Sequence, residues 1–360
     1  MPNATKKQLS FRRKAAFSLL LILIFLLLIV AAGEIIVRLT SNGKYAKPTL
    51  QPPYDTAQKD EKLGWRMKPN YAFDGKMRDQ AGVEYPISIR YDANGFKAFG
   101  NTASTKPKVL FLGDSYTASI EVSNEKSFFN RLKDSLGIEV FAYGHAGFST
   151  LQEYLVLDEW VDKIRPDAVV WQVCSNDFID NYAPLEIRCG YKVGERRPYL
   201  KPGDGIFYRR PLSFWQKIKE RLHFFKWLEE RWDKAKLSLL GKEKRVGEYW
   251  IATEKRAYPP FDGSVRMTEE IVGKIKKRLP PGTPLLAFSA DVYQPQLDEF
   301  KRIFEMHGFP FTEVPARSVE RAAVEQKLVV KAVDGYHWNE LGHEVIAREL
   351  AVPLGKILHE

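Results

Sequence analysis

From residue 106 onward, short apolar runs alternate with stretches whose apolar positions fall at helical spacing. Residues 109–112 are four apolar side chains between Lys108 and Gly113, the pattern of a short buried strand that stops abruptly. Residues 138–143, 168–173, 285–289 and 311–314 repeat it. Between them the spacing predicts helices. One runs from about 124 to 136, with Ser123 as its cap and Gly137 as its close. Another covers 150–164, with Ser149 and Gln152 spaced as a capping box and Arg165-Pro166 as the stop. A third spans about 296–307. This alternation predicts a parallel sheet covered on both faces. Ahead of it, residues 39–105 read as a proline-rich tether to about Tyr71 and then a small β-rich lead-in, with alternation over 85–91 and a turn at 92–95. That lead-in reads as a packed extension without a role of its own.

The N-terminal pattern is different. Residues 15–33 are almost uninterruptedly apolar, long enough at ~1.5 Å per residue to cross a hydrocarbon core of ~30 Å. Lys6, Lys7, Arg12, Arg13 and Lys14 precede the run, and Arg38 is the nearest positive charge after it. The positive-inside rule then makes residues 1–14 a cytoplasmic segment, 15–38 a signal-anchor helix, and the remainder extracytoplasmic. A cleaved signal peptide ending near Ala31-Ala32-Gly33 is the alternative, and it exports the folded part just the same.

Composition adds two exclusions and one feature. At 44% hydrophobic and 28% charged residues the chain can bury a core. Two cysteines make no disulfide scaffold, and the six histidines form no metal-ligand spacing, so neither a metal nor a cofactor is expected. Residues 188–256 hold nineteen Lys/Arg against nine Asp/Glu, a surplus equal to the net charge of the whole chain, +10. Within this insertion, placed at about 186–260, Phe214, Ile218, Leu222, Phe225, Leu228 and Trp232 recur at helical spacing. A helical lid, a contact with anionic lipid and a contact with an anionic glycan all fit that pattern. Nucleic acid does not, because an exported domain would not meet it and no recognition motif occurs.

The chemistry concentrates after the strands. Gly113-Asp114-Ser115 turns at the end of the first, leaving a hydroxyl at the carboxyl edge, where open α/β sheets place reactive groups. Gly144 and Gly147 follow the second strand and Asn176-Asp177 the third. Near the C-terminus, Asp334 precedes His337 by three residues, a spacing that sets a carboxylate beside an imidazole. Ser, Asp, His is one of the chain orders used by nucleophilic hydrolases.

Gly113-Asp114-Ser115, Gly147, Asn176-Asp177 and Asp334-x-x-His337, in this order, resemble the four blocks of the SGNH (GDSL-type) serine hydrolases. The resemblance covers residues 106–360 apart from the insertion. It implies a flavodoxin-like three-layer α/β/α fold and a catalytic set of Ser115, Asp334 and His337. It further implies an oxyanion hole made of the backbone N–H of Ser115, the backbone N–H of Gly147 and the side-chain amide of Asn176. Asp114 and Asp177 are expected to brace the loops. The implied activity is that of a bacterial membrane-anchored esterase removing O-acyl groups, foremost acetyl, from an envelope or secreted carbohydrate. An O-acyltransferase using the same triad and a decayed binding module are the alternatives. Two positions depart from the family pattern: Cys174 stands where a glycine is usual, and Ala142 where an asparagine is common. Whether Cys174 pairs with Cys189 stays open.

Overall fold

The computed structural model describes residues 11–41, 53–189, 196–201, 203, 205–208, 221–228, 231–232 and 247–359. It contains two compact units, one of residues 1–49 and 212–244 and the other of residues 50–211 and 245–360. In the first, a helix over Phe11–Thr40 carries the apolar run, and its stretch Arg12–Thr40 is long and apolar enough to cross a membrane. Glu34 on that helix accepts a hydrogen bond from the Phe224 N–H at 2.8 Å. Much of the amphipathic stretch over 214–232 lies outside the described residues, as do residues 42–52 of the predicted tether.

The second unit begins with two antiparallel pairs. Strand β1 (Ala57–Asp60) pairs with β2 (Gly64–Met67), so the proline-rich segment is structured from this point and the tether ends earlier than its composition implies. Leu63, Trp65 and Met67 are buried there, which is why polar neighbours did not keep the segment in solvent. Strand β3 (Ala72–Arg78) pairs with β4 (Glu84–Arg90), and Asp92 closes the predicted turn by accepting the N–H groups of Asn94 and Phe96.

The central sheet is built from β5 (Ala98–Phe99), β6 (Lys108–Gly113), β7 (Glu139–Gly144) and β8 (Ala168–Val173). After a small outlying pair, β9 (Pro198–Lys201) with β10 (Gly205–Tyr208), it is completed by β11 (Leu285–Ser289) and β12 (Phe311–Thr312). The spatial order is β12-β11-β8-β6-β7-β5, all neighbours parallel except β5, which runs antiparallel to β7. Without β5 this is the flavodoxin order, whose switch point lies between β6 and β8. Alternate strand residues face opposite layers. Leu110, Leu112, Phe141, Val169 and Trp171 pack on one side, with residues of the helices Thr150–Ile164, Pro259–Arg278 and Gln296–Met306. Val109, Phe111, Val140, Val170 and Phe288 pack on the other, with residues of the helices Phe128–Leu136, Val314–Val324 and Glu340–His359. Both faces being dry explains the continuous apolar runs.

Local differences have local causes. The helix predicted from 124 begins at Phe128 behind a short 3₁₀ turn, Asn124–Lys126. Ser123 does not cap it; its hydroxyl accepts the Ser88 N–H at 2.9 Å. Strand β12 stops at Thr312, where a helix with Pro315 in its first turn takes over. Within the insertion, the described residues hold the helix Ala183–Cys189, the β9–β10 pair and the helix Gly247–Glu254. The capping box of Ser149 and Gln152 forms as spelled.

Candidate active site

Strand β6 ends at Gly113, and Ser115 opens a single helical turn, Ser115–Ala118. Asp114 sets that turn: its carboxylate accepts the Tyr116 N–H at 3.0 Å, while its own N–H donates to Gln172 at 3.2 Å. Gly144, at the end of β7, has to be glycine. A Cβ there would stand 2.6 Å from both Ala118 N and Asp114 O, so the serine turn and the next strand end meet backbone to backbone. Behind β8, Asp177 accepts the Cys174 N–H at 3.0 Å and shapes the Asn176 loop. Asp114 and Asp177 thus each accept a backbone N–H of their own loop.

The C-terminal loop folds around Asp334. Its Oδ1 accepts the N–H groups of Tyr336 at 2.8 Å and His337 at 3.0 Å. Trp338, 2% exposed, anchors the loop in the core against Tyr116, ring centroids 4.6 Å apart. The side chains separated by more than two hundred residues then meet. His337 Nε2 lies 2.8 Å from Ser115 Oγ and Nδ1 lies 2.5 Å from Asp334 Oδ2. In the neutral ring this geometry places the hydrogen on Nδ1, donating to Asp334, and leaves Nε2 to accept from the serine.

One partner of the imidazole was not read from the sequence. Glu121 Oε1 stands 3.4 Å from His337 Nδ1, on a side chain only 2% exposed. Burial disfavours a charged imidazole, but the Glu121 charge and the hydrogen bond and charge of Asp334 outweigh it, holding His337 up at about 9. Asp334 shifts the other way: burial opposes its charge, yet the hydrogen bonds from His337 and Tyr336 keep its carboxyl below the ordinary value. Burial pushes Glu121 upward, countered by the imidazolium. No sequence motif marks Glu121, which lies two residues after Ser119, itself left-handed at φ +50°.

Among the described residues, Glu121, Asp334 and His337 also offer three ligand atoms within 4.8 Å. Two ligands at zinc-like bond lengths of ~2.0–2.2 Å sit roughly 3 Å or more from each other. The 2.5 Å contact of His337 with Asp334 is instead a hydrogen-bond distance.

Ser115, Gly147, Asn176 and His337 line one cavity of about 720 Å³. Gly147 has φ +71°, in the left-handed region that glycine adopts freely, and the Asn176 amide donates to Asp180 at 3.0 Å. Tyr293 and Tyr336, both more than half exposed, stand at the cavity wall. Asp291, also unread in the sequence, accepts the Cys174 thiol at 3.1 Å, the Ser175 N–H at 3.0 Å and the Ser175 hydroxyl at 2.6 Å. Cys174, in place of the usual glycine, is therefore a buried, hydrogen-bonded thiol. Both cysteines are free.

Residues of the lead-in hydrogen-bond three of the loops of this site, those of Ser115, Gly147 and Asp334. Trp65 donates its indole N–H to Ala146 O at 3.3 Å, and Gln152 donates to Leu63 O at 2.8 Å. Tyr91 donates to Ala118 O at 2.7 Å beside the serine turn. The end of β3 pairs with the Asp334 loop: Gln80 N–H to Lys331 O at 3.0 Å and Val333 N–H to Arg78 O at 3.0 Å.

No family model matches the chain, and no curated protein is similar to it in sequence. Solved structures similar to it include a psychrotrophic esterase from Pseudoalteromonas sp., at 13% identity over 70% of this chain and 99% of that one, TM-score 0.38. A family 3 carbohydrate esterase of Clostridium thermocellum is 13% identical over 70% and 98%, TM-score 0.37. An acetylxylan esterase from Geobacillus stearothermophilus is 16% identical over 70% and 94%, TM-score 0.35. Scores this low do not assign a fold; the strand order and register do.

Proposed function

We propose that this chain is a membrane-anchored, extracytoplasmic serine esterase of the SGNH type that removes small O-acyl groups, foremost acetyl, from a carbohydrate. The observation that carries the reading is the relay Ser115 Oγ, His337, Asp334, with contacts of 2.8 and 2.5 Å inside one cavity.

A serine hydroxyl at its ordinary pKa is a poor nucleophile and needs a base. His337 Nε2 takes the Ser115 proton as Oγ attacks the acyl carbon, and returns it to the departing sugar alcohol. Asp334 keeps the ring oriented and stabilises its charged form. The tetrahedral oxyanion is met by the N–H groups of Ser115 and Gly147 and by the Asn176 amide; losing one such donor typically costs ~10²–10³ in rate. Water, activated by the same His337, then cleaves the acyl-enzyme. The cavity exceeds what an acetyl group fills, and Tyr293 and Tyr336 on its wall leave room for a sugar-sized leaving group. The helix Phe11–Thr40, preceded by basic residues, supplies the anchor in the inner membrane.

A fluorophosphonate probe tests the chemistry on the full-length chain in detergent. Wild type is labelled and releases acetate from acetylated polysaccharide, and Ser115→Ala is neither labelled nor active. An unlabelled wild type sinks the esterase reading. Acetyl transfer to added glycan in place of acetate release changes it to an acyltransferase. Carbonate extraction tests the anchor: release into the soluble fraction removes it.

A further inference from the structure

Arg197 is 3% exposed and immediately precedes β9, inside the insertion that carries the chain's surplus of positive charge. An arginine so deeply buried has to find acceptors, and this one has four. Nη1 donates to Gly147 O at 2.7 Å and to Gln152 Oε1 at 2.9 Å. Nη2 meets Asp180 Oδ1 at 3.0 Å and Nε meets Glu186 Oε1 at 3.2 Å. The other oxygen of Asp180 accepts the Asn176 amide at 3.0 Å. A continuous path therefore runs from the Gly147 loop through Arg197 and Asp180 to the Asn176 side chain.

The two loops joined in this way are those that carry the oxyanion donors outside the serine turn. The peptide bearing the Gly147 N–H is fixed from its other side as well, since its carbonyl, Ala146 O, accepts from Trp65. The Arg197 guanidinium lies 5.0 Å from the centre of that same indole ring. Preorganised donors stabilise charge only if they stay aimed without reorganising. Glycine at φ +71° and an amide free to rotate about two bonds do not hold such an aim unaided.

We infer that Arg197, bridged to Asn176 by Asp180, is a positioning residue that holds the Gly147 and Asn176 donors in register for the oxyanion. The inference rests on the serine-esterase reading above. It assigns the insertion a part in catalysis through the residue that leads into β9, separate from its surface charge.

The test uses p-nitrophenyl acetate with the full-length chain in detergent, comparing Arg197→Met, Arg197→Lys and Asp180→Asn. For Arg197→Met, kcat falls about 10- to 100-fold with KM within twofold, and affinity for a boronic acid, which forms a tetrahedral adduct on Ser115, falls by a similar factor. Arg197→Lys, keeping the charge but not the fork, recovers part of the loss. Should Arg197→Met fail to fold, having lost the cation that Asp180 and Glu186 share, Asp180→Asn carries the test. It keeps an acceptor for Asn176, removes the ionic link, and is expected to lose kcat at least fivefold without a fall in melting temperature. Unchanged kcat and boronate affinity in the folded variants overturn the positioning role. A wild type that neither turns over ester nor takes the fluorophosphonate overturns the esterase reading, and this inference with it.

Discussion

Glu121 Oε1 approaches His337 Nδ1 at 3.4 Å, so the imidazole that faces Ser115 is flanked by two carboxylates, with Asp334 at 2.5 Å. Glu121 is buried and Asp334 is about one-third exposed, which makes Glu121 the less screened of the two charges. Its effect is on when His337 can act as a base.

With the imidazole raised from 6.5 to about 9, the neutral base accumulates only as pH rises through that value. The acid limb of kcat/KM for p-nitrophenyl acetate is therefore expected on the alkaline side. Glu121→Gln removes a charge that favours the protonated ring, and the limb should move to lower pH by roughly one unit. Asp114 and Asp334 also face the ring and remain. A limb that stays in place would show that Glu121 does not govern the base. The linked stability has the opposite direction: the raised pKa stabilises the fold below pH 6.5, and that contribution is lost as pH climbs through about 9.

Beneath the site, Glu153 is fully buried beside Asp114 and Asp177, and neither of its oxygens has a hydrogen bond of good geometry. Burial first, then the Asp114 charge, pushes its carboxyl well above the ordinary 4.5. A raised acid stabilises the fold below its unfolded pKa and costs stability as pH rises. Glu153→Gln keeps the shape without the charge, so it should raise the melting temperature at pH 7 by a few degrees, with the gain shrinking toward pH 4. A lower melting temperature at pH 7 would contradict this account.

Trp338 is buried between Tyr116 and Phe128 and directly follows His337. Trp338→Ala should cost about 3–5 kcal/mol of stability. It should also reduce kcat in whatever remains folded, because the Asp334–His337 loop loses its anchor. Chemical unfolding and turnover measured on the same preparation check both effects; a loss in neither means the loop is held elsewhere.

Truncation separates the lead-in from a mere extension. A chain starting at residue 53 keeps the lead-in contacts described above and should retain esterase turnover. A chain starting at Lys106 lacks Trp65, Tyr91 and the pairing of Arg78 and Gln80 with the Asp334 loop, and should be inactive or insoluble. Equal activity of the two would return the lead-in to a passive role.

The order of strands and helices could be read along the chain because periodicity, caps and breakers act over a few residues. The strands Ala168–Val173 and Leu285–Ser289 and the Ser149–Gln152 capping box fall where the pattern placed them. Ser115, Asp334 and His337 stood out as candidates for a related reason: each sits in a short motif, and the fold brings the three side chains together. Glu121, Asp291 and Arg197 have no such spelling. A buried glutamate and a buried arginine look like surface residues until the fold removes water from around them and supplies partners from distant segments. The sequence by itself determined which groups were present and on which strand ends they stood. Only tertiary structure decided which of them became dry and which met across the cleft, because burial and contact between remote residues are properties of the packed chain.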